Sequence, residues 1–533
     1  MTRRPEITPI GQVVLKKIEQ LLETNSDHVA VIYEDVPDHP AVPYDHINQC
    51  TLSLLHFLKR EGFLVERGVI GICLGNTHHF VISFTAVTAS RTIAALFGPD
   101  SPPMDLLNQL NDSRAETLIT TAEIYLQLLE QSRHWAHLKN VVLVNRFGKP
   151  LDVKGFNVYT WTQVIAHKPK FHFHQHSTGP NDPALLIYPE KPRRNHNAIL
   201  LSHSALLTKA KTMASIISKR LSSTQSQFEI ITAPSHVMEG VVHILNAVLA
   251  QRTLVACEDK ADIICDTLTK YQPNYLTVTI NTALEMVKFP LPPLTDVRSV
   301  QVLGIISHCI GRDVAEELVR KFNNVKHFVQ TLRIPELLNY SCLSAGIKDV
   351  GNCGTVLDDV ECKIIDTETG KSVLAHEVGE LWVKSPTLMC GYWGDPQAKA
   401  NVITHDGWYL TGKLAKFDEH GNLHYVAESN EVIFVQSSPV YPPLLEEKIL
   451  EHPKVADCAV VGVSHKKYGK VPRAFIVKLS MDLTEGEIHE HVKHCCLAEE
   501  ELLGGLYFVS KIPRNASGGV DKQLLVKLFV LRK

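Results

Sequence analysis

The chain lacks what would tie it to a membrane, a nucleic acid or an export route. None of its 533 residues fall in an apolar run near the roughly 20 residues that a membrane-spanning helix needs. The N-terminus, Met1-Thr2-Arg3-Arg4-Pro5, is basic, but no apolar stretch follows it, so no secretory leader is expected. Neither charge sign dominates. Against 54 Lys and Arg stand 57 Asp and Glu, a net charge of −3, which leaves no electrostatic case for nucleic acid or an anionic lipid surface. The twelve cysteines include no Cys-x-x-Cys pair. Most stand in apolar settings such as Ile72-Cys73-Leu74, which suits reduced core cysteines in a cytoplasmic protein. The vicinal Cys495-Cys496 reads as incidental. No internal repeat or low-complexity run is present.

What the chain does have is ordinary for a globular protein: 44% hydrophobic and 21% charged residues, over a length that permits more than one domain. Residues 11–25 and 52–59 show helical apolar spacing. Strand and helix patterns then alternate: Val69–Leu74, His78–Ala89, Ile93–Phe97, Met104–Leu110, Thr117–Thr121 and Val141–Asn145. A second set runs from Glu229–Thr232 through Val241–Leu249, Thr253–Ala256, Tyr275–Thr279 and Val300–Leu303 to Asp313–Phe322. Alternation of this kind predicts parallel strands with both faces covered by helices. From about Gly351 short strands with Gly- and Asp-rich turns predict antiparallel structure, and a small α+β unit follows Glu428.

The stretch from Cys390 to Glu447 is the most specific. Gly391-Tyr392-Trp393, Asp406-Gly407-Trp408, Thr411-Gly412, the Asp418-to-Gly421 turn and Val440-Tyr441-Pro442 follow one another in fixed order. In that order and spacing the chain resembles the adenylate-forming enzymes, which include acyl- and aryl-CoA synthetases, firefly luciferase and peptide-synthetase adenylation domains. The resemblance covers nearly the whole chain. It implies an α/β fold: a large N-terminal domain (residues 1–428) of two doubly wound sheets plus a distorted β-barrel, and a smaller, mobile α+β domain (residues 429–533). In an active member it also implies ATP, Mg²⁺ and CoA, and a ligase reaction that converts ATP to AMP and pyrophosphate.

The positions that would carry adenylation depart from the family pattern. After Thr-Gly the family has an aspartate for the ribose hydroxyls, and this chain has Lys413; where the family has an arginine near ribose and phosphate, it has Glu428. The family's glycine- and hydroxyl-rich phosphate loop stands here between Ala184–Tyr188 and Ser202-His203. It reads Pro189-Glu190-Lys191-Pro192-Arg193-Arg194-Asn195-His196-Asn197, without glycine, serine or threonine. Its two prolines remove N–H donors; Lys191, Arg193 and Arg194 could still attract an anion. By order, the family's Tyr-Gly-x-Thr-Glu matches Tyr340-Ser341-Cys342-Leu343-Ser344, so a Mg²⁺-positioning carboxylate is expected to be replaced by Ser344. In Pro513-Arg514-Asn515-Ala516-Ser517-Gly518-Gly519-Val520, the family's catalytic lysine position is Gly519, with Lys522 three residues on. Loss of one such charge from a transition state costs about 3–4 kcal/mol, by analogy with a single oxyanion donor.

Pro234-Ser235-His236 and Gly240 resemble the family's acyl-pocket segment, and Glu428-Ser429-Asn430-Glu431 stands where the family has its hinge. His172, His174 and His176 could share a strand face, and His491, His494 and Cys495 a helix face, as metal ligands; solvated surface accounts for both sets as well. Many relatives end in a Ser-Lys-Leu peroxisomal signal, whereas this chain ends in Leu531-Arg532-Lys533. Two readings follow. One is a catalytically degenerate acyl-CoA synthetase-like protein that binds an acyl ligand, CoA or a protein partner. The other is an ATP-dependent carboxylic acid–CoA ligase with an unusual site.

Overall fold

The computed structural model describes the chain apart from residues 1–5, 34–40, 132–133, 147, 150–154, 167–176, 190–197, 221–227, 307–309, 311, 331, 339–341, 344–351, 515–519 and 531–533. Among the described residues the first sheet has eight strands. Its parallel body runs in the order Pro183–Ile187, Ile93–Leu96, Val69–Cys73, Thr117–Thr120, Asn140–Leu143, Asn157–Thr160. Ile199–Ser202 and Gly391–Tyr392 extend it with antiparallel pairing. A four-stranded sheet joins Phe228–Ile231, Thr253–Ala256 and Val29–Tyr33 in parallel, with Ala41–Pro43 antiparallel at its edge. A parallel trio follows: Tyr275–Thr279, Val302–Ile306 and His327–Gln330. The helical and strand segments expected from periodicity all form, with ends shifted by a few residues: the first helix is Ile10–Leu22 and the second Tyr44–Arg60.

Parallel strands buried on both faces read as continuous apolar runs, and Val69–Cys73, Ile93–Leu96 and Asn140–Leu143 are buried at every residue. The helix Ile10–Leu22 can lie close to the helix His78–Thr88 because Gly11 has no side chain; a Cβ there would meet the Thr85 carbonyl oxygen at 2.2 Å. Beyond these layers the chain turns antiparallel, with Glu361–Ile365, Gly379–Lys384, Tyr409–Phe417 and Leu423–Glu428 in one sheet. The turn joining the last two is closed by Asp418. Although burial opposes its charge, hydrogen bonds from Asn422, His424 and His420 hold its carboxyl well below the usual carboxylate range. Gly421 supplies the left-handed residue of that turn, at φ 79°. The final sheet is built from Ile433–Val435, Ser438–Val440, Val455–His465, Gly469–Lys478 and Leu506–Phe508, with the helices Pro442–Leu450 and Glu485–Cys495 against it.

One detail differs from the sequence reading. Cys353 is disulfide-bonded, whereas the scatter of the cysteines had suggested reduced core residues. Of the histidines weighed beside Cys495, His491 pairs with the Lys448 carbonyl at 2.8 Å and His494 faces Glu490, and no group of three or more ligands among the described residues could hold a metal. His172, His174 and His176 lie outside the described residues. No helix among the described residues is long and apolar enough to cross a membrane.

Burial lowers several imidazoles: His78 to about 3, and His79 and His203 to about 4. His203 Nδ1 accepts the Ile10 N–H at 3.2 Å, which requires the neutral ring. In the unfolded chain these rings titrate near about 6.5, so below that pH the unfolded state binds more protons and stability falls. The urea midpoint is therefore expected to be flat for these groups above about pH 7, and to drop as pH goes from about 6.5 towards about 4. Denaturation at a series of pH values checks this, and a midpoint unchanged across that range would contradict it.

Candidate functional site

Position 413 lies on the strand Tyr409–Phe417, whose register partner across the ladder is Glu428 at the end of Leu423–Glu428. Opposed residues on one face of an antiparallel pair sit within side-chain reach. Lys413 and Glu428 form an ion pair, with side chains 10% and 27% exposed. The lysine Nζ also lies 5.7 Å over the Tyr425 ring. The backbone around the pair is pinned. Gly412 N–H donates to Glu380 at 2.9 Å, Thr411 Oγ1 donates to the Leu381 carbonyl at 2.7 Å, and Ser429 N–H donates to the Gly412 carbonyl at 2.8 Å. The two charge reversals seen in sequence are thus one reciprocal pair.

The expected hinge is a short turn. Ser429 and Asn430 are exposed, and Glu431 N–H closes it on the Glu428 carbonyl at 3.0 Å. Glu431 also binds Lys522, whose Nζ lies 3.1 Å from it and 3.2 Å from Glu446. Burial raises Glu446, opposed by Lys522 and by the Val460 N–H that donates to it at 2.7 Å. Burial also raises the Tyr425 phenol, reinforced by Glu428, Glu431 and Glu446. Lys522 is therefore committed to this acidic pocket and is not a free cation that could serve in place of Gly519. Gly519 itself lies outside the described residues, within a segment flanked by an Arg514–Val520 bridge, where Arg514 makes paired bonds to Asp457 at 2.7 and 2.8 Å.

Lys191, Arg193 and Arg194 lie outside the described residues, between strands that pair at Leu186–Leu200 and Ile187–Ile199. The residues that follow the loop do structural work: Ser202 Oγ accepts the Ala205 N–H at 3.1 Å, and His203 holds the start of the first helix. Tyr340 and Ser344 also lie outside the described residues. Leu343 belongs to a two-residue strand opposite Thr355.

The structure adds a carboxylate that the sequence reading missed. Eight residues before Ser344, Glu336 sits in the turn Pro335–Leu337 that follows the parallel strand His327–Gln330. It is 7% exposed and accepts the Tyr392 hydroxyl at 3.0 Å. The pentad Leu332-Arg333-Ile334-Pro335-Glu336 carries a glutamate in the fifth place, as the family's Tyr-Gly-x-Thr-Glu does. Its closeness to the end of the last parallel strand is the signal that could have found it. Glu336 is held by a phenol and belongs to no cluster of three or more potential ligands among the described residues. A Mg²⁺ bound chiefly by waters and substrate phosphates needs only one or two protein carboxylates, and Glu336 would be the one to hold it.

His236 lies in a loop after the strand Phe228–Ile231, clamped by Asn76. The Asn76 amide donates to the Ala233 carbonyl at 3.0 Å and accepts the Ser235 N–H at 2.7 Å. Burial lowers the imidazole to about 4, with Asp100 opposing. Gly240 has a packing role: a Cβ there would lie 2.1 Å from the Pro234 carbonyl oxygen, so only glycine lets the helix Met238–Leu249 start against this turn.

Comparison with known proteins gives the family and the fold. A family model described as AMP-binding enzyme matches residues 18–393, and one described as AMP-binding enzyme C-terminal domain matches residues 444–518. A 4-coumarate–CoA ligase-like protein of Oryza sativa subsp. japonica is 27% identical over 479 residues, 87% of this chain and 84% of that one. A probable 4-coumarate–CoA ligase of Dictyostelium discoideum is 25% identical over 530 residues, covering 96% and 93%. Among solved structures, an anthranilate CoA ligase in complex with anthranoyl-AMP superposes with a TM-score of 0.83 at 18% identity, covering 96% of each chain. An amide bond synthetase from Marinactinospora thermotolerans gives 0.82 at 19%, covering 97% of this chain and 99% of that one.

The ion pair makes a direct prediction. Lys413→Ala leaves Glu428 facing Tyr425 without its cation and is expected to lose about 2 kcal/mol of stability, discounted from a fully buried pair for its partial exposure. Exchanging the charges, Lys413→Glu with Glu428→Lys, is expected to recover most of it. A double-mutant cycle by urea denaturation checks this; single variants within about 0.5 kcal/mol of the parent would remove the pair from the account.

Proposed function

The chain belongs to the AMP-binding enzyme family, and from that premise we propose that it binds an acyl or acyl-CoA ligand without forming an acyl-adenylate. The Lys413–Glu428 ion pair carries this reading. Ribose hydroxyls need a carboxylate acceptor at the first position, and the triphosphate needs a cation near the second. Here the first is a cation and the second an anion, and each side chain is already held by the other. The nucleotide would have to break that pair to find partners, and would still meet Glu428 as a like charge beside its phosphates. Three further features support the same conclusion from separate places in the chain. The loop containing Lys191, Arg193 and Arg194 has no glycine, Gly519 carries no side chain, and Lys522 is engaged by Glu431 and Glu446. We take residues 1–428 and 429–533 as the two bodies of the protein, joined at Ser429-Asn430-Glu431. The acyl side, with His236 on its clamped turn, is the part that remains suited to a ligand.

A second reading, an ATP-dependent carboxylic acid–CoA ligase, draws its support from Glu336, a buried carboxylate at the family spacing. The relatives named above are a 4-coumarate–CoA ligase-like protein and a probable 4-coumarate–CoA ligase, so an aromatic acid would be its first substrate class. The two readings separate in one experiment on the full chain: calorimetry with ATP and Mg²⁺, then pyrophosphate release with a panel of fatty and aromatic acids. No nucleotide heat and no acid-dependent pyrophosphate are expected. Micromolar ATP binding with acid-dependent release would overturn the proposal in favour of the ligase.

A further inference from the structure

We propose that the segment Phe289-Pro290-Leu291-Pro292-Pro293-Leu294 is a docking peptide for a partner domain of the EVH1 kind, whose aromatic-lined groove takes prolines and whose end pocket takes a leading aromatic ring. Docking there would require neither nucleotide nor acyl ligand. The segment connects the helix Ile280–Lys288 to the strand Val302–Ile306. Three prolines in six positions fix most of its backbone. Each holds its own φ at about −65° and pushes the residue before it into the extended region, so Phe289, Leu291 and Pro292 are constrained as well. Phe289 has φ −109° and ψ 150°, and the chain keeps negative φ as far as Pro293. Such a backbone is polyproline II in kind, a helix of about three residues per turn with no internal hydrogen bonds.

That period sorts the side chains into edges. Leu291 turns inward and packs against the core formed around Leu276, Leu303 and Phe328. Pro290 and Pro293, three apart, are exposed, and Phe289 beside them is 56% exposed. The ends are tied down. Lys321 Nζ donates to the carbonyls of Met286, Val287 and Phe289 at 2.7, 2.8 and 2.8 Å. Thr295 closes a turn on the Pro292 carbonyl, by its N–H at 3.2 Å and its Oγ1 at 2.8 Å, and the Asp296 N–H donates to Thr269 Oγ1 at 3.0 Å. Between these ties no hydrogen bond from the described residues reaches the Pro290 or Leu291 carbonyl. Indole and phenol donors of an aromatic groove can take such carbonyls. A segment already ordered in its bound form loses less on binding.

Leu294 is a second, independent sign. The third place of the turn Pro292–Thr295 takes a positive φ and normally belongs to glycine or asparagine. Leu294 fills it at φ 76° and is 94% exposed. A large apolar side chain in the left-handed region, almost uncovered by its own chain, is unfavourable on both counts, and such outliers gather where a ligand is met. Charge then selects among the grooves that read prolines. An SH3 groove adds an acidic pocket for a basic residue beside the prolines. Here the preceding cation, Lys288, has its Nζ buried, and the following one, Arg298, is held by both oxygens of Asp296 at 2.9 and 2.7 Å. What the segment offers at its head is the ring of Phe289, which calls for an apolar pocket at that end of the groove.

Biolayer interferometry tests this with the full chain and isolated domains of EVH1, SH3 and WW type, the EVH1 domain being one that binds Phe-Pro-Pro-Pro-Pro peptides. The EVH1 domain is expected to bind the chain, and that peptide is expected to displace it. Phe289→Ala is expected to weaken binding about tenfold or more. Leu294→Gly keeps the left-handed backbone and removes only the side chain; about threefold weaker binding is expected. Both side chains are exposed, and thermal melting separates a loss of binding from a loss of fold; if one variant does not fold, the other decides. Absence of EVH1 binding, a bound domain that the peptide does not displace, or a folded variant of either kind that binds like the parent overturns the proposal. Binding of the SH3 or WW domain in place of the EVH1 domain overturns it too, because neither reads the leading ring.

Discussion

The Lys413–Glu428 ion pair organises the part of this protein where chemistry would be expected. It sits on a register pair of two antiparallel strands, so neither side chain can avoid the other without a slip that would turn every neighbouring residue to the wrong face. Its surroundings are acidic and aromatic: Tyr425, Glu431 and Glu446 lie close, and Lys522 balances the last two. Two lysines and three glutamates thus form one charged group, with Lys522 shared between two carboxylates. In a half-buried network of this kind, removing one member leaves a partner unpaired, which costs more than the pair itself contributes.

The turn that carries His236 is built on a different principle. Asn76 meets the hydrogen-bonding needs of its backbone, Ser235 Oγ donates to the Leu74 carbonyl, Gly240 admits close approach of the next helix, and one buried ring nitrogen of His236 is left without a partner.

The fold was largely legible in the sequence, because parallel strands covered on both faces must be written as apolar runs, and Val69–Cys73 and Ile93–Leu96 are. The reversal at positions 413 and 428 was legible too, but only as two separate losses. That they compensate each other depends on cross-strand register, which needs the turn at Asp418 to be counted residue by residue. Glu336 was missed for a related reason. Matching by order alone put the pentad beyond the turn at Pro335–Leu337, when the end of the strand His327–Gln330 is what sets its place.

The reciprocity of the 413–428 pair also limits which substitutions the ladder tolerates. An acidic residue at 413 alone would set two carboxylates against each other across the ladder, and a basic residue at 428 alone would set two cations there. Like charges directly opposed on a sheet are destabilising. Each single step therefore passes through a less stable protein, and only the double change escapes it. The ion pair thus resists change one residue at a time: only a paired substitution keeps opposite charges facing each other across the ladder.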